Sequence, residues 1–247
     1  MINVLKIGGN QLDDPAFIAG MAQVVRRMAE PPVIVHGGGK AIKALQQKLG
    51  IQTRTIGGLR VTDAETLELV VMVLCGLSNS ALVAALVNAG VEAQGFNGAD
   101  RGLLRARQMT HPDGDLGRVG QIVAVRGDVI REVLTAKIVP VIAPVSLGED
   151  GGFYNVNADQ AAGAIAAGIG AEQVVFLTDV PGVLHDGQGL DRVTQADARQ
   201  LIAAGVAKDG MAVKLEAALN ALSGGVQRAV ITNLDGLERG IGTVVSM

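Results

Sequence analysis

Short runs of valine and isoleucine alternate along this chain with longer segments in which apolar residues recur at helical spacing. Such alternation is typical of βαβ units, whose successive strands join a mostly parallel sheet. The runs predict strands near residues 2–7, 32–36, 139–143, 173–178 and 227–231. The helical spacing predicts helices near residues 14–29, 39–49, 64–75, 78–89, 127–136, 159–169, 194–204 and 211–222. We therefore expect an α/β fold.

The pattern changes between residues 93 and 125, where short alternating segments are punctuated by glycine. This texture predicts β-hairpins, which we expect to cover one side of a cleft. The loop at residues 110–115 has turn composition and is compatible with a mobile lid or with a plain surface turn. The 247 residues contain no internal repeat, which favours one polypeptide with internal lobes over a solenoid.

Composition narrows the classes of function. The formal net charge is -3, and lysines and arginines are scattered, so no basic face for a nucleic acid is expected. Cys75 is the only cysteine, which excludes an intrachain disulfide and makes a cytoplasmic location the default. The N-terminus lacks the features of a signal peptide. The apolar stretches near 67–77 and 161–169 fall short of the ~20 residues that span a bilayer, so no membrane segment is expected.

Three glycine-rich turns, at residues 6–10, 36–40 and 178–183, each follow a predicted strand and open a predicted helix. Backbone N–H groups and the positive end of a helix dipole meet at such a turn, which suits an anion. Each turn alone is a weak signal, because glycine is also used wherever the backbone needs a positive φ. The spacings of a dinucleotide fingerprint and of a P-loop are both missing.

Several polar residues lie where a purely structural role does not explain them. Lys6 stands inside an apolar strand, where its charge is costly to bury unless it faces an anion; the alternative is an edge-strand lysine that reaches water. Asn155, Asn157 and Asp159 precede an apolar helix that needs only one cap, and the surplus suggests a ligand. Lys214 lies near a helix start, where the dipole disfavours a cation and a nearby anion would compensate.

These motifs, together with Gly58-Leu59-Arg60-Val61-Thr62-Asp63 and residues 209–214, occur in the order found in acetylglutamate kinases. The chain resembles this branch of the amino acid kinase family over nearly its whole length. The resemblance implies the amino acid kinase fold: a three-layer αβα sandwich around a mostly parallel sheet, with β-hairpins over the substrate cleft. It also implies one domain, 1–247, whose N-terminal lobe, about 1–150, binds the amino acid and whose C-terminal lobe, about 151–247, binds ATP.

The resemblance implies roles for individual residues. Lys6 and Lys214 would approach the transferred phosphoryl group as catalytic residues, and Asp159 would orient both. Binding of the amino acid falls to Arg60 and Asn155 and to the backbone N–H groups of Gly38 and Gly39. The residues implied for ATP are Gly8, Gly9, Thr178, Asp179, Val180, Gly182, Val183, Val206, Ala207, Lys208 and Met211.

The implied reaction is ATP-dependent phosphorylation of the side-chain carboxylate of N-acetyl-L-glutamate to N-acetylglutamyl 5-phosphate, in arginine biosynthesis. This carboxylate has a reference pKa near ~4.3, so it is ionised at neutral pH and needs no general base. Catalysis then consists of bringing two anions together and spreading charge over the phosphoryl group. No cluster in the sequence has metal-ligand spacing, so Mg²⁺ is expected to arrive with ATP.

Two alternatives remain open. One is a kinase for carrier-protein-bound α-aminoadipate in lysine biosynthesis, whose members the segment 73–79 resembles. The other is a non-catalytic nucleotide-binding regulatory module, which would not need Lys6, Lys214 and Asp159 together.

The sequence also carries two expectations about assembly. The predicted helix 65–77 is apolar almost all round, so we expect it to lie in the interface of a homodimer. Only Met1 precedes the first predicted strand. The N-terminal helix that accompanies arginine inhibition in the resembled family is therefore not expected, nor is inhibition by arginine.

Overall fold

The computed structural model describes residues 2–9, 11–185 and 187–247, so Met1 and Asn10, the last residue of the first predicted glycine turn, lie outside the described residues. Strands are β1 (Asn3–Ile7), β2 (Val33–His36), β3 (Thr55–Ile56), β4 (Leu59–Arg60), β5 (Ala93–Asn97), β6 (Leu104–Gln108), β7 (Gly120–Val125), β8 (Val139–Ala143), β9 (Val145–Gly148), β10 (Phe153–Asn155), β11 (Gln173–Leu177), β12 (Leu184–His185), β13 (Gln188–Gly189), β14 (Arg192–Thr194), β15 (Arg228–Thr232) and β16 (Thr243–Ser246). Helices are α1 (Pro15–Arg27), α2 (Gly39–Leu49), α3 (Ala64–Val71), α4 (Asn79–Asn88), α5 (Gly127–Thr135), α6 (Ala158–Ile169), α7 (Gln195–Ala203), α8 (Asp209–Ser223) and α9 (Leu234–Arg239).

The main sheet has eight strands in the order β14-β16-β15-β11-β1-β2-β8-β5. Neighbouring strands are parallel throughout, except that β16 runs antiparallel to β15. The predicted mostly parallel sheet is therefore confirmed, with β1 at its centre. Both ends of the chain contribute strands to it, so the two predicted lobes share one sheet.

Helices cover both faces of this sheet, which confirms the three-layer αβα sandwich. Side chains of successive strand residues point to opposite faces, so Val4 belongs to a core cluster with residues of α5, α6 and α8, while Leu5 belongs to another with residues of α1 and α4. A second sheet, in the order β10-β9-β6-β7, stands apart from the main one and contains the predicted hairpin of β6 and β7.

The sequence interpretation was wrong about residues 93–97. They form β5, a parallel edge strand of the main sheet, rather than part of a hairpin. The valine and isoleucine signal is weak here because Gly95 must stay without a side chain. A Cβ on Gly95 would lie 2.0 Å from Oδ1 of the buried Asn79. Helix α9 and strand β16 also follow the last predicted strand and were not foreseen.

The two helices predicted near 64–75 and 78–89 form one continuous helix, Ala64–Asn88, with a π-helical segment at Met72–Ser78. It is long and apolar enough to cross a membrane by length and composition alone, with a mean hydropathy of 2.2 over its 18-residue window. This corrects the expectation that every apolar stretch is too short, because Gly76 and Ser78 do not interrupt the helix. One such helix is weak evidence for a membrane span, since core helices pass the same test, and Leu74 is buried here.

Candidate active site

Two glycine turns meet at the centre of the main sheet, because β1 and β2 are parallel neighbours whose carboxyl ends lie side by side. A Cβ on Gly9 would lie 2.7 Å from the backbone nitrogen of Gly39 and 2.9 Å from that of Gly38. Only glycine at position 9 allows this contact between main chains. The turn predicted to bind phosphate and the turn predicted to bind the amino acid are thereby held against each other.

Lys6 is buried, with 5% of its surface exposed. It shares a strand face with Val4, which directs it towards α6, and its Nζ lies 2.9 Å from Oδ2 of Asp159 in the first turn of that helix. The other carboxylate oxygen, Oδ1, is buried and has no partner among the described residues. Because an unpartnered buried oxygen is costly, Asp159 retains the capacity to accept a second donor.

The three polar residues at the start of α6 have separate roles. Asn157 caps the helix, its side-chain oxygen accepting from the backbone nitrogens of Asp159 at 2.9 Å and Gln160 at 3.2 Å. Asp159 therefore faces Lys6, and Asn155 faces Thr62. Asn155 and Asp159 are therefore the polar residues of this segment that are not needed to cap the helix.

Lys214 lines the same cavity as Lys6, a space of about 260 Å³ bordered by both glycine turns and by Leu177, Thr178 and Asp179. Its Nζ donates a long hydrogen bond of 3.4 Å to the carbonyl of Gly210. Burial, together with the charge of Lys6, lowers the pKa of the Lys214 ammonium. Because Lys6, Lys40 and Lys214 all line this space, it is a candidate site for an anion.

Gln11 also lines this cavity and was not foreseen. Its Oε1 accepts from the backbone N–H of Gly8 at 2.8 Å, so that donor is already engaged in the structure. Its Nε2 is buried and has no partner among the described residues. For Gly8 to contact a phosphate as expected, its N–H must exchange Gln11 for the ligand.

Arg60 and Asn155 are joined through Thr62. The Thr62 hydroxyl donates to the carbonyl of Arg60 at 3.0 Å and accepts from Nδ2 of Asn155 at 3.1 Å. Nη2 of Arg60 also donates to the carbonyl of Gly39 at 3.1 Å. The structure thus brings together the residues predicted for the amino acid. The linking residue, Thr62, belongs to the motif at residues 58–63, but no role was predicted for it.

Apart from Gly8 and Gly9, the residues predicted for the nucleotide differ in how far they are exposed. Thr178 and Asp179 line the cavity beside the lysines, and Val206 and Lys208 are exposed near the start of α8. Val183 and Ala207, in contrast, are buried in the core. The remaining predicted positions are the half-buried Val180 and Met211 and the buried Gly182, which packs against Thr243. Contacts from Val183 and Ala207 to a nucleotide would have to come from their main chains.

His36, at the end of β2, is fully buried beside the second glycine turn. Burial lowers its pKa to about 4, so the ring is neutral at physiological pH. Nδ1 lies 3.0 Å from the carbonyl of Gly37 and Nε2 lies 3.0 Å from Nδ2 of Asn79. Since the Asn79 amide can only donate from nitrogen, Nε2 accepts and Nδ1–H donates. His36 thus anchors the turn to the long helix.

An αβα fold in which lysines and two glycine turns line one cavity, with a carboxylate paired to Lys6, defines an α/β protein with a candidate anion-binding site. The family described as "Amino acid kinase family" matches residues 1–233. The chain belongs to the amino acid kinase family.

Similar proteins agree with this assignment. An acetylglutamate kinase from Roseiflexus castenholzii is 53% identical over 95% of this chain and 90% of its own length. An acetylglutamate kinase from Methanopyrus kandleri is 44% identical over 99% of this chain and 100% of its own. The crystal structure of smu.665 from Streptococcus mutans has a TM-score of 0.85 at 30% identity, covering 99% of this chain and 98% of that one.

Proposed function

We propose that this protein is an acetylglutamate kinase, which transfers the γ-phosphoryl group of ATP to the side-chain carboxylate of N-acetyl-L-glutamate in arginine biosynthesis. The observation that carries the proposal is the contact between Gly9 and Gly38–Gly39, because each turn also adjoins one of two candidate subsites. One contains Lys6, Asp159 and Lys214, and the other contains Arg60 and Asn155. The names of the relatives support the same reaction.

In this proposal the α-carboxylate of the substrate binds Arg60 and Asn155, which directs the side-chain carboxylate towards the lysines. One of its oxygens forms a bond to the γ-phosphorus, and the bond from that phosphorus to the β,γ-bridging oxygen breaks. The electron pair stays on the departing ADP, so no proton is transferred. Lys6 and Lys214 stabilise charge on the transferring oxygens, and Asp159 positions them. Mg²⁺ carried by ATP supplies further neutralisation of the phosphates.

The lobes have separate tasks in this proposal. The N-terminal part, about 1–150, binds the amino acid, and the C-terminal part, about 151–247, binds ATP. Each part contributes one half of a single sheet, and the halves join where β1 pairs with β11, so the two substrates would meet over its centre. A cytoplasmic location is part of the proposal, because ATP and the amino acid precursors are supplied there.

The reaction is tested by incubating the protein with ATP, Mg²⁺, hydroxylamine and N-acetyl-L-glutamate, because an acyl phosphate is trapped as a hydroxamate. We expect ATP-dependent hydroxamate with N-acetylglutamate and much less with N-acetyl-α-aminoadipate. A preference for the aminoadipate derivative would instead support the alternative, a kinase of lysine biosynthesis. Absence of any hydroxamate with either acid would contradict a carboxylate kinase.

We also propose a homodimer that contacts through the helix Ala64–Asn88. Met72 and Leu77 lie in its π-helical segment and are 56% and 67% exposed, although both are large apolar residues. A second copy would cover them. Light scattering at micromolar concentration should give the mass of a dimer. Met72→Glu with Leu77→Glu should give a monomer, and a monomeric wild-type protein would contradict this part of the proposal.

A further inference from the structure

Gln46 lies in α2 with only 1% of its surface exposed, and it has no role in the proposed reaction. Its Oε1 contacts Nη1 of Arg60 and accepts from Oγ1 of Thr53 at 3.0 Å. Its Nε2 lies 3.5 Å from Oγ1 of Thr66, at the start of α3. A guanidinium has donors only, so the atom facing Arg60 must be the amide oxygen. The orientation of the amide is therefore fixed by its surroundings.

Arg60 is held by neutral groups on its protein side. Its guanidinium donates to the Gln46 amide oxygen and to the carbonyl of Gly39, and it forms no ion pair with a carboxylate of the described residues. Arginines elsewhere in the chain differ: Arg118 and Arg126 each pair with an aspartate at 2.6 Å. The Arg60 side chain is also partly buried, which lowers its pKa. A partly desolvated cation without a counter-ion favours the binding of an anion.

We propose that Gln46 is a positioning and specificity residue for the α-carboxylate of the substrate: its neutral oxygen fixes the Arg60 guanidinium without cancelling its charge. A carboxylate of the same shape at this position would form an ion pair with Arg60, and the substrate would then have to compete with it. An apolar residue would leave the charge but lose one fixed contact. The inference rests on the proposed function, which assigns Arg60 to the α-carboxylate.

The test uses Gln46→Glu, which keeps the shape and changes the charge, and Gln47→Glu, which makes the same change at the exposed neighbouring position of α2. Each enzyme is assayed with N-acetylglutamate and with its α-carboxamide analogue, which keeps the reacting side-chain carboxylate. For Q46E we expect the KM for N-acetylglutamate to rise about tenfold or more, because a charged hydrogen-bond partner is occupied. The KM for the carboxamide and for ATP should change less than about threefold, and Q47E should resemble the wild type.

A structural role alone predicts another result. If Gln46 only supported the fold, Q46E would raise the KM for the acid and for the carboxamide alike, and this would overturn the proposal. So would a wild-type KM in Q46E. A wild-type enzyme that does not prefer the acid to the carboxamide would instead remove the Arg60 assignment of the proposed function, and the inference would fall with it.

A second variant keeps the proposal testable if Q46E does not fold. Gln46→Met retains length and removes the acceptor, so Arg60 keeps its charge but loses a contact that fixes it. We expect the KM for N-acetylglutamate to rise about three- to tenfold, while the preference for the acid over the carboxamide is kept. An unchanged KM in Gln46→Met would overturn the positioning role.

Discussion

The two ends of the candidate cleft hold their cations in opposite ways. At the phosphoryl end, Lys6 is buried and paired with the carboxylate of Asp159 at 2.9 Å. At the amino acid end, Arg60 is held by the amide of Gln46 and by a backbone carbonyl, both neutral. A fixed charge pair keeps the lysine in place whether or not a ligand is bound. A cation held by neutral dipoles is positioned equally well, but its charge is not neutralised and remains available to bind the substrate.

The largest expected effects are at the phosphoryl end. Lys214→Ala should lower kcat by roughly 10²-fold or more, because it removes a charge whose contact strengthens in the transition state. Its free energy of unfolding should hardly change, since the hydrogen bond that Lys214 makes within the described part of the chain is a long one to a carbonyl. Steady-state kinetics and urea unfolding measure the two quantities. Lys43→Ala, which removes an exposed lysine, is the control, and near-normal turnover in Lys214→Ala would refute the assignment.

Lys6→Ala should show a similar loss of kcat with an additional loss of stability. The variant leaves Asp159 buried without its partner, and an uncompensated buried charge costs roughly 3–5 kcal/mol. Urea unfolding of both lysine variants at neutral pH compares them directly. Equal stability of Lys6→Ala and Lys214→Ala would show that the pair with Asp159 contributes little.

The buried histidine beside the second glycine turn should make the stability of the fold sensitive to acid. Burial lowers the pKa of His36 to about 4 from an unfolded value of 6.5, so the unfolded chain binds more protons between these values. Stability is then present above pH 6.5 and is lost as pH falls towards 4, by roughly 2–3 kcal/mol from this group between pH 7.5 and 4.5. Urea unfolding of the wild type and His36→Gln at both pH values isolates this contribution. Equal pH dependence in the two proteins would contradict it.

Arg60→Ala should act through substrate binding. We expect the KM for N-acetylglutamate to rise about 10- to 30-fold, because hydrogen bonds to a charged group are worth roughly 1.5–2 kcal/mol and are made in the ground and transition states alike. The KM for ATP should stay within about twofold. Initial rates with each substrate varied in turn measure both values. A change confined to ATP would place Arg60 at the wrong end of the cleft.

The smallest expected effect concerns Thr62, which links the two residues proposed to bind the substrate. Thr62→Val keeps the shape of the side chain and removes the hydroxyl that joins Arg60 to Asn155. A neutral hydrogen bond of this kind contributes about 0.5–1 kcal/mol, so the KM for N-acetylglutamate should rise about threefold with kcat retained. Thr53→Val serves as the comparison, because it removes a hydroxyl that donates to Gln46 and leaves the link between Arg60 and Asn155 in place. An unchanged KM in Thr62→Val would show that Arg60 and Asn155 are positioned independently.

Periodicity in the sequence predicted the strands and helices that pack against apolar side chains of other elements. It failed at β5, where Gly95 gives room to a polar side chain from another element. The glycine turns and Lys6 were visible because each is unusual in its local context. Gln46 and Thr62 could not be identified in this way: their partners Arg60 and Asn155 are 14 and 93 residues away, so the contacts exist only in the folded chain.

The contact of Gly9 with Gly38 and Gly39 limits how this scaffold can evolve towards other acids. The spacing between the two turns is set by main-chain atoms, so no side chain exists there that a mutation could shorten. An acid with one more methylene group cannot be accommodated by widening this contact. If Arg60 binds the α-carboxylate as proposed, the extra length would be taken up at Arg60, on the short hairpin of β3 and β4. Changes in substrate length should therefore arise from remodelling of that hairpin, while the catalytic centre stays unchanged.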